Sequence, residues 1–268
     1  MARIAAGDSA DLMMINDVVN FTALTKADLF QPMDSAVISS RIPMQFRDSG
    51  NRWFGLSYKA RTIMYNPHFV KPTELSDYEG LADPKWKGKL CLRNSGKSYN
   101  RALVASLMYR HGVEGAKKVI EGWVANLATP VFDTDSKLLE AMALSTCTVG
   151  IADTFYLGRI LEKDAEYPAR AFWANQEGSG VHVNIAGMAQ LKISKNLEQT
   201  KQLMEYLVSD SAVRSFADFN FEFPTVPGLH ASTLVGGWGD FKVDSTPVSL
   251  FGELSDAAAE LSLSAGYL

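Results

Sequence analysis

Thiols are scarce in this sequence. Cys91 and Cys147 are its only cysteines, too few for a disulfide scaffold, and neither belongs to a CxxC pair. The composition favours two buried thiols, with a single bridge in an oxidising compartment as the alternative. No run of Lys and Arg occurs, and the net charge is −4. This argues against nucleic acid as a partner, because phosphate binding needs a concentrated basic surface. No apolar stretch approaches the roughly 18–20 residues that span a bilayer. Enzyme signatures are missing as well: there is no GxSxG elbow, HExxH helix, P-loop or strand-linked GxGxxG. Gly178-Ser179-Gly180 lacks the companions of a nucleotide loop, and no spacing singles out a catalytic pair of carboxylates. His68, His111, His182 and His230 show no metal-ligand spacing and read as structural or exposed. Met1 to Asp8 hold no apolar signal core, so the expectation is a mature or trimmed form, or a cytosolic protein.

What is present is an ordinary globular composition. The 268 residues, 47% hydrophobic and 21% charged, suffice for one large or two modest domains. Helical and strand patterns alternate, the signature of an α/β protein. Strands are predicted at Ala10 to Ile15, Trp53 to Tyr65, Gly88 to Arg93, Thr148 to Ala152 and Val181 to Leu191. Helices are predicted from an N-cap at Asp17 to Leu24, near Tyr99 to Tyr109, and over Val113 to Leu127. Others follow Asp133-Thr134-Asp135-Ser136 as far as Leu144, and cover Thr154–Leu161, Leu197–Leu207, Ser211–Phe219 and Asp256–Ser264. Two long extended segments, near 53–65 and 181–191, flank a central α/β block. That layout suits two lobes joined by two crossing strands, one lobe being built from discontinuous chain.

Several strings are more specific. WFGLSYKARTIMYNP (Trp53 to Pro67) resembles the first hinge strand of periplasmic ferric-iron-binding proteins, and LADPKWKGKLCLRNS (Leu81 to Ser95) resembles the start of their second lobe. VGIADTFYLGRIL (Val149 to Leu161) is similar to the stretch that carries their tandem iron-binding tyrosines. NQEGSGVHVNIAGMA (Asn175 to Ala189) resembles the returning hinge strand, and FEFPTVPG (Phe221 to Gly228) a later marker. The resemblance implies a type II periplasmic binding protein fold, two α/β lobes closing on a ligand. Residues 1–61 with 187–240 would form the first lobe, and 62–186 with 241–268 the second, with crossings near Lys59–Thr62 and Ala186–Met188. Family members carry a further strand–helix unit of about 50–60 residues ahead of the stretch matching Ser9 to Met13. The expectation is thus a truncated first lobe with unpaired strand edges, prone to self-association.

The implied function is the periplasmic solute-binding component of an iron(III) ABC importer, with ferric iron and the membrane permease as partners. Ferric iron is a hard, highly charged cation suited to anionic oxygen. A phenol becomes a strong ligand once the cation displaces its proton. The resemblance assigns Tyr99 and Tyr156 as iron-binding phenols. Phe155 stands where the tandem has its other tyrosine, and Asp153, where many relatives have Asn, offers a carboxylate. Arg61 and Lys59 on the hinge strand would hold carbonate or another synergistic anion, Arg through its planar fork of donors. Asn94-Ser95-Gly96 ahead of a helix is a weaker anion signal. The alternative is a degenerate homologue that no longer binds iron and acts as an interaction protein or remnant, or that binds another small anion.

Overall fold

A computed structural model describes residues 10–268, so the reading of the first nine residues lies outside it. The predicted strands appear as β1 (Leu12–Ile15), β2 (Phe54–Tyr65), β3 (Leu90–Cys91), β4 (Val149–Asp153) and β6 (Val183–Gln190). β5 (Arg170–Phe172) and β7 (Phe223–Pro224) are too short for periodicity to announce. The strand order is β1-β6-β2-β4-β3, with β5 and β7 also on β2.

β2 organises the molecule. Its twelve residues are rich in aromatic and β-branched types and almost wholly buried, as a strand covered on both faces must be. Phe54 to Ala60 pair antiparallel with β6, and Arg61 to Tyr65 pair antiparallel with β4. The neighbours change between Ala60 and Arg61, so one strand serves two sheets. β6 lies beside β1 and the first half of β2 along its whole length. Ala186 to Met188 thus lie within the β1–β6–β2 pairing. Gly187 is required where it stands, because a Cβ there would lie 2.2 Å from the Phe54 carbonyl oxygen.

The helices follow their caps. α1 (Val18–Lys26) starts where the Val19 amide donates to the Asp17 carboxylate at 2.6 Å, and α2 (Ala36–Arg41) is capped by Ser35. α3 (Ser98–Ala125) is two helices joined at Gly112, whose φ of 67° breaks the regular backbone; the sequence predicts them separately. α4 (Asp135–Ala143) is capped by Thr134, and α5 (Thr154–Leu161) follows β4 directly. α6 (Leu197–Leu207) and α7 (Asp210–Asn220) fall where expected. A single turn, α8 (Thr233–Gly236), precedes α9 (Val248–Glu253) and α10 (Ser255–Ser264). No helix among the described residues is long and apolar enough to cross a membrane.

The expectation of two buried thiols is corrected. Cys91 and Cys147 form a disulfide, S–S 2.06 Å. Parallel pairing of Cys91 with Gly150 draws the residues just before β4 against β3 and leaves the two Cα atoms 5.8 Å apart.

Candidate metal centre at the junction of the sheets

The side-chain period of two places Ser57, Lys59 and Arg61 on one face of β2, across the change of partners. Both cations are completely buried, and each is therefore held by polar groups. The Lys59 ammonium donates to the Asn16 side chain, to the Asn16 carbonyl at 3.1 Å and to that of Ile185 at 3.3 Å. Glu222 lies 3.6 Å away and also accepts from Ser57. The Arg61 guanidinium donates to Asn100 at 2.8 Å, to Asp135 at 3.2 Å and to the Ile151 carbonyl. Asp153, its register partner on β4, sits 3.3 Å from it. Arg93, just past β3, donates to the other Asp135 oxygen at 2.6 Å. The outcome is an alternating chain, Arg93–Asp135–Arg61–Asp153, sealed beneath the junction.

The phenols lie over this chain. Tyr99, in the first turn of α3, has the Lys59 ammonium 5.6 Å from its ring centre and the Arg93 guanidinium at the same distance. Phe155 and Tyr156 open α5 with ring centres 4.0 Å apart. The Phe155 ring faces Lys59 at 6.0 Å and Arg159 at 5.0 Å. Tyr99 and Tyr156 remain partly exposed, whereas Phe155 is buried. Ser98 donates to Asp17 at 2.6 Å, tying the start of α3 to that of α1.

Electrostatics set the protonation states. Burial, the Asp153 and Asp17 carboxylates and Tyr156 push the Tyr99 phenol well above its ordinary value, against Arg93. Burial and Asp135 raise Tyr156, again with Arg93 opposing. Both phenols therefore stay neutral until a cation displaces their protons. Burial also raises the Asp153 carboxyl, to about 6, with Arg61 pulling it down and Asp135 pushing it up. Neither Asp153 oxygen takes part in a hydrogen bond. A buried carboxylate paired with Arg61, near two phenols, is a set of hard oxygen donors. Among the described residues, no group of three or more His, Cys, Asp and Glu could hold a metal.

The structure thus brings Tyr99, Tyr156, Asp153, Lys59 and Arg61 together. Sequence reasoning missed Arg93, Asp135 and Arg159, which surround the phenols. Arg159 stands four residues after Phe155, one helical turn on, and that spacing could have found it. The histidines lie apart: His68 and His230 are exposed, and His111 meets Glu79 at 2.5 Å. His182 is sealed, with neither ring nitrogen hydrogen-bonded.

The model of a family described as bacterial extracellular solute-binding protein matches residues 7–235. The chain belongs to that family. This solute-binding chain is 36% identical to iron uptake protein A1 of Synechocystis over 98% of its own length and 74% of the relative's. Among solved structures, Trichodesmium IdiA (FutA) in complex with iron and citrate ligands superposes with a TM-score of 0.95 at 37% identity. That match covers 98% of this chain and 85% of the other. Apo FutA2 from Synechocystis superposes with a TM-score of 0.95 at 31% identity, covering 100% and 88%. These two-lobed matches fix the α/β architecture.

Proposed function

We propose that the protein is the solute-binding component of an iron(III) ABC importer, holding ferric iron as cargo at Tyr99, Tyr156 and Asp153. One observation carries the reading: two partly exposed phenols feel the charge of a fully buried carboxylate, Asp153, which Arg61 holds at 3.3 Å. Hard oxygen donors suit a trivalent cation better than they suit an organic solute. The iron uptake named for the Synechocystis relative, and the iron and citrate named for the Trichodesmium structure, support it.

In this reading the lobes divide within β2 and again between β5 and β6. Arg61 and Lys59 are committed to internal partners, so their part is to hold Asp153 in place and set the local field. The synergistic anion, carbonate or another, is met by Arg159, which is exposed over Phe155. The disulfide fits an oxidising periplasm, where the loaded protein meets its membrane permease. Self-association follows from the apolar margin beside β1, where Met14 is 46% and Phe219 84% exposed.

Titration with ferric iron under a weak chelator tests the proposal. A saturable phenolate-to-iron colour is expected, lost in Tyr156→Phe and weakened in Tyr99→Phe. Phe155→Tyr should bind more tightly than the natural chain, because it adds a phenolate. Absence of colour in both the natural chain and Phe155→Tyr would favour the alternative, a homologue that no longer binds iron. That reading draws on Phe155 and on the Lys59 cation beside it.

A further inference from the structure

A second cavity, of about 560 Å3, lies beyond the far end of β2. Its walls hold four aromatic side chains, Tyr65, Phe172, Trp173 and Trp238, and two carboxylates, Asp77 and Glu177. No Lys, Arg or His lines it. Among the described residues neither carboxylate has an ion-pair partner. One Asp77 oxygen caps the Gly80 amide at 2.5 Å, which fixes that side chain on the wall.

The walls are tied before any ligand arrives. β5 is registered against β2 from Ile63 to Tyr65, placing Phe172 on one side. Thr62 donates to the Phe172 carbonyl at 2.6 Å and accepts from the Ala174 amide at 3.2 Å. The Asn175 amide donates to the Ser76 carbonyl at 3.1 Å, joining the two loops that face each other. The Trp173 indole N–H donates to the Trp238 carbonyl at 3.2 Å, and its ring stacks on Phe241 at 3.9 Å. Little ordering remains to oppose binding in such a site. Its volume lies in the range of small-molecule pockets.

Aromatic faces carry negative potential, and carboxylates carry full negative charge. Together they attract a cation whose hydration is weak enough to lose, which describes a quaternary ammonium better than a metal ion. We propose that this cavity is a binding site for a small organic ammonium ion, separate from the iron centre. The ammonium head lies against the indoles of Trp173 and Trp238, with Asp77 and Glu177 supplying the counter-charge.

Choline is the probe, with its uncharged isostere 3,3-dimethylbutan-1-ol as control, read by tryptophan fluorescence and by calorimetry. Saturable binding of choline is expected, at least about tenfold tighter than the neutral isostere. Trp238→Ala should weaken choline about tenfold, and Glu177→Gln, an exposed change that leaves the fold intact, several-fold. Tyr156→Phe should leave choline binding unaltered, so failure here and failure of the iron reading are separable. No saturation, or equal affinity for choline and the isostere, would overturn the proposal. So would unchanged affinity in both Trp238→Ala and Glu177→Gln when their melting curves match the parent's.

Discussion

Before Ala60, β2 lies in a sheet whose outer strand among the described residues, β1, pairs with β6 alone, while after Arg61 it lies in one flanked by β4, β3 and β5. The second region is bound by charge and by covalent bonds. Arg93, Asp135, Arg61 and Asp153 alternate within it, and the Cys91–Cys147 bridge fastens β3 to the approach of β4. In the first region β1, Leu12-Met13-Met14-Ile15, carries no charge or proline. A cavity of about 710 Å3 opens beside it, walled by Met14, Tyr206, Phe216 and Phe219. The difference separates two tasks. On the proposed function, the bonded half fixes the iron donors, while the open half leaves Met14 and Phe219 exposed.

Four perturbations sharpen that contrast. The largest effect belongs to Asp135→Ala, which leaves two buried arginines short of their shared carboxylate. Breaking such a pair costs about 3–5 kcal/mol, to be read as a fall in denaturant midpoint at unchanged slope. Next comes removal of the disulfide. The bridge spans 56 residues, and Cys147→Ser should cost about 4 kcal/mol on the loop-entropy estimate. A loss under about 1 kcal/mol would show that pairing of β3 with β4 holds that half unaided.

Acid supplies the third. Burial depresses the His182 imidazole to about 3 from an ordinary 6.5, with Arg61 and Arg110 opposing its charged form and Asp244 favouring it. Phe251 packs on the ring at 4.9 Å, and Tyr78 donates nothing to it. The unfolded chain binds this proton first, so the stability His182 contributes is complete above about pH 6.5. It is lost progressively as pH falls from there toward 3. Melting temperatures across that window should drop, and His182→Leu should remove part of the slope. The smallest effect is in the open half. Phe219→Ser should alter stability by no more than about 0.5 kcal/mol. It should nonetheless lower the mass seen by light scattering at high concentration.

Much of the fold was legible in the residues. Asp17, Thr134 and Gly112 mark helix ends by chemistry that acts within one turn, and the β2 and β6 patterns are long enough to read. α2, α9, β5 and β7 were not, because two to six residues carry no period and exist through their neighbours. Tyr99, Tyr156 and Asp153 came from motif likeness, and their convergence needed the sheet register of Arg61 on Asp153. Nothing in the spacing of Arg93, Asp135 and Arg61 announces a shared ion chain. The disulfide stood only as the alternative for the same reason, since two cysteines 56 residues apart meet only through the β3–β4 ladder.

The central claim is that ferric iron is held by the phenols above the Arg93–Asp135–Arg61–Asp153 chain. Anomalous diffraction from ferric-loaded crystals, collected at the iron edge, addresses it most directly. A single iron peak bonded to the Tyr99 and Tyr156 oxygens, with Asp153 on the same ion, is the expected result. An iron peak elsewhere, or none at full loading, would contradict the account.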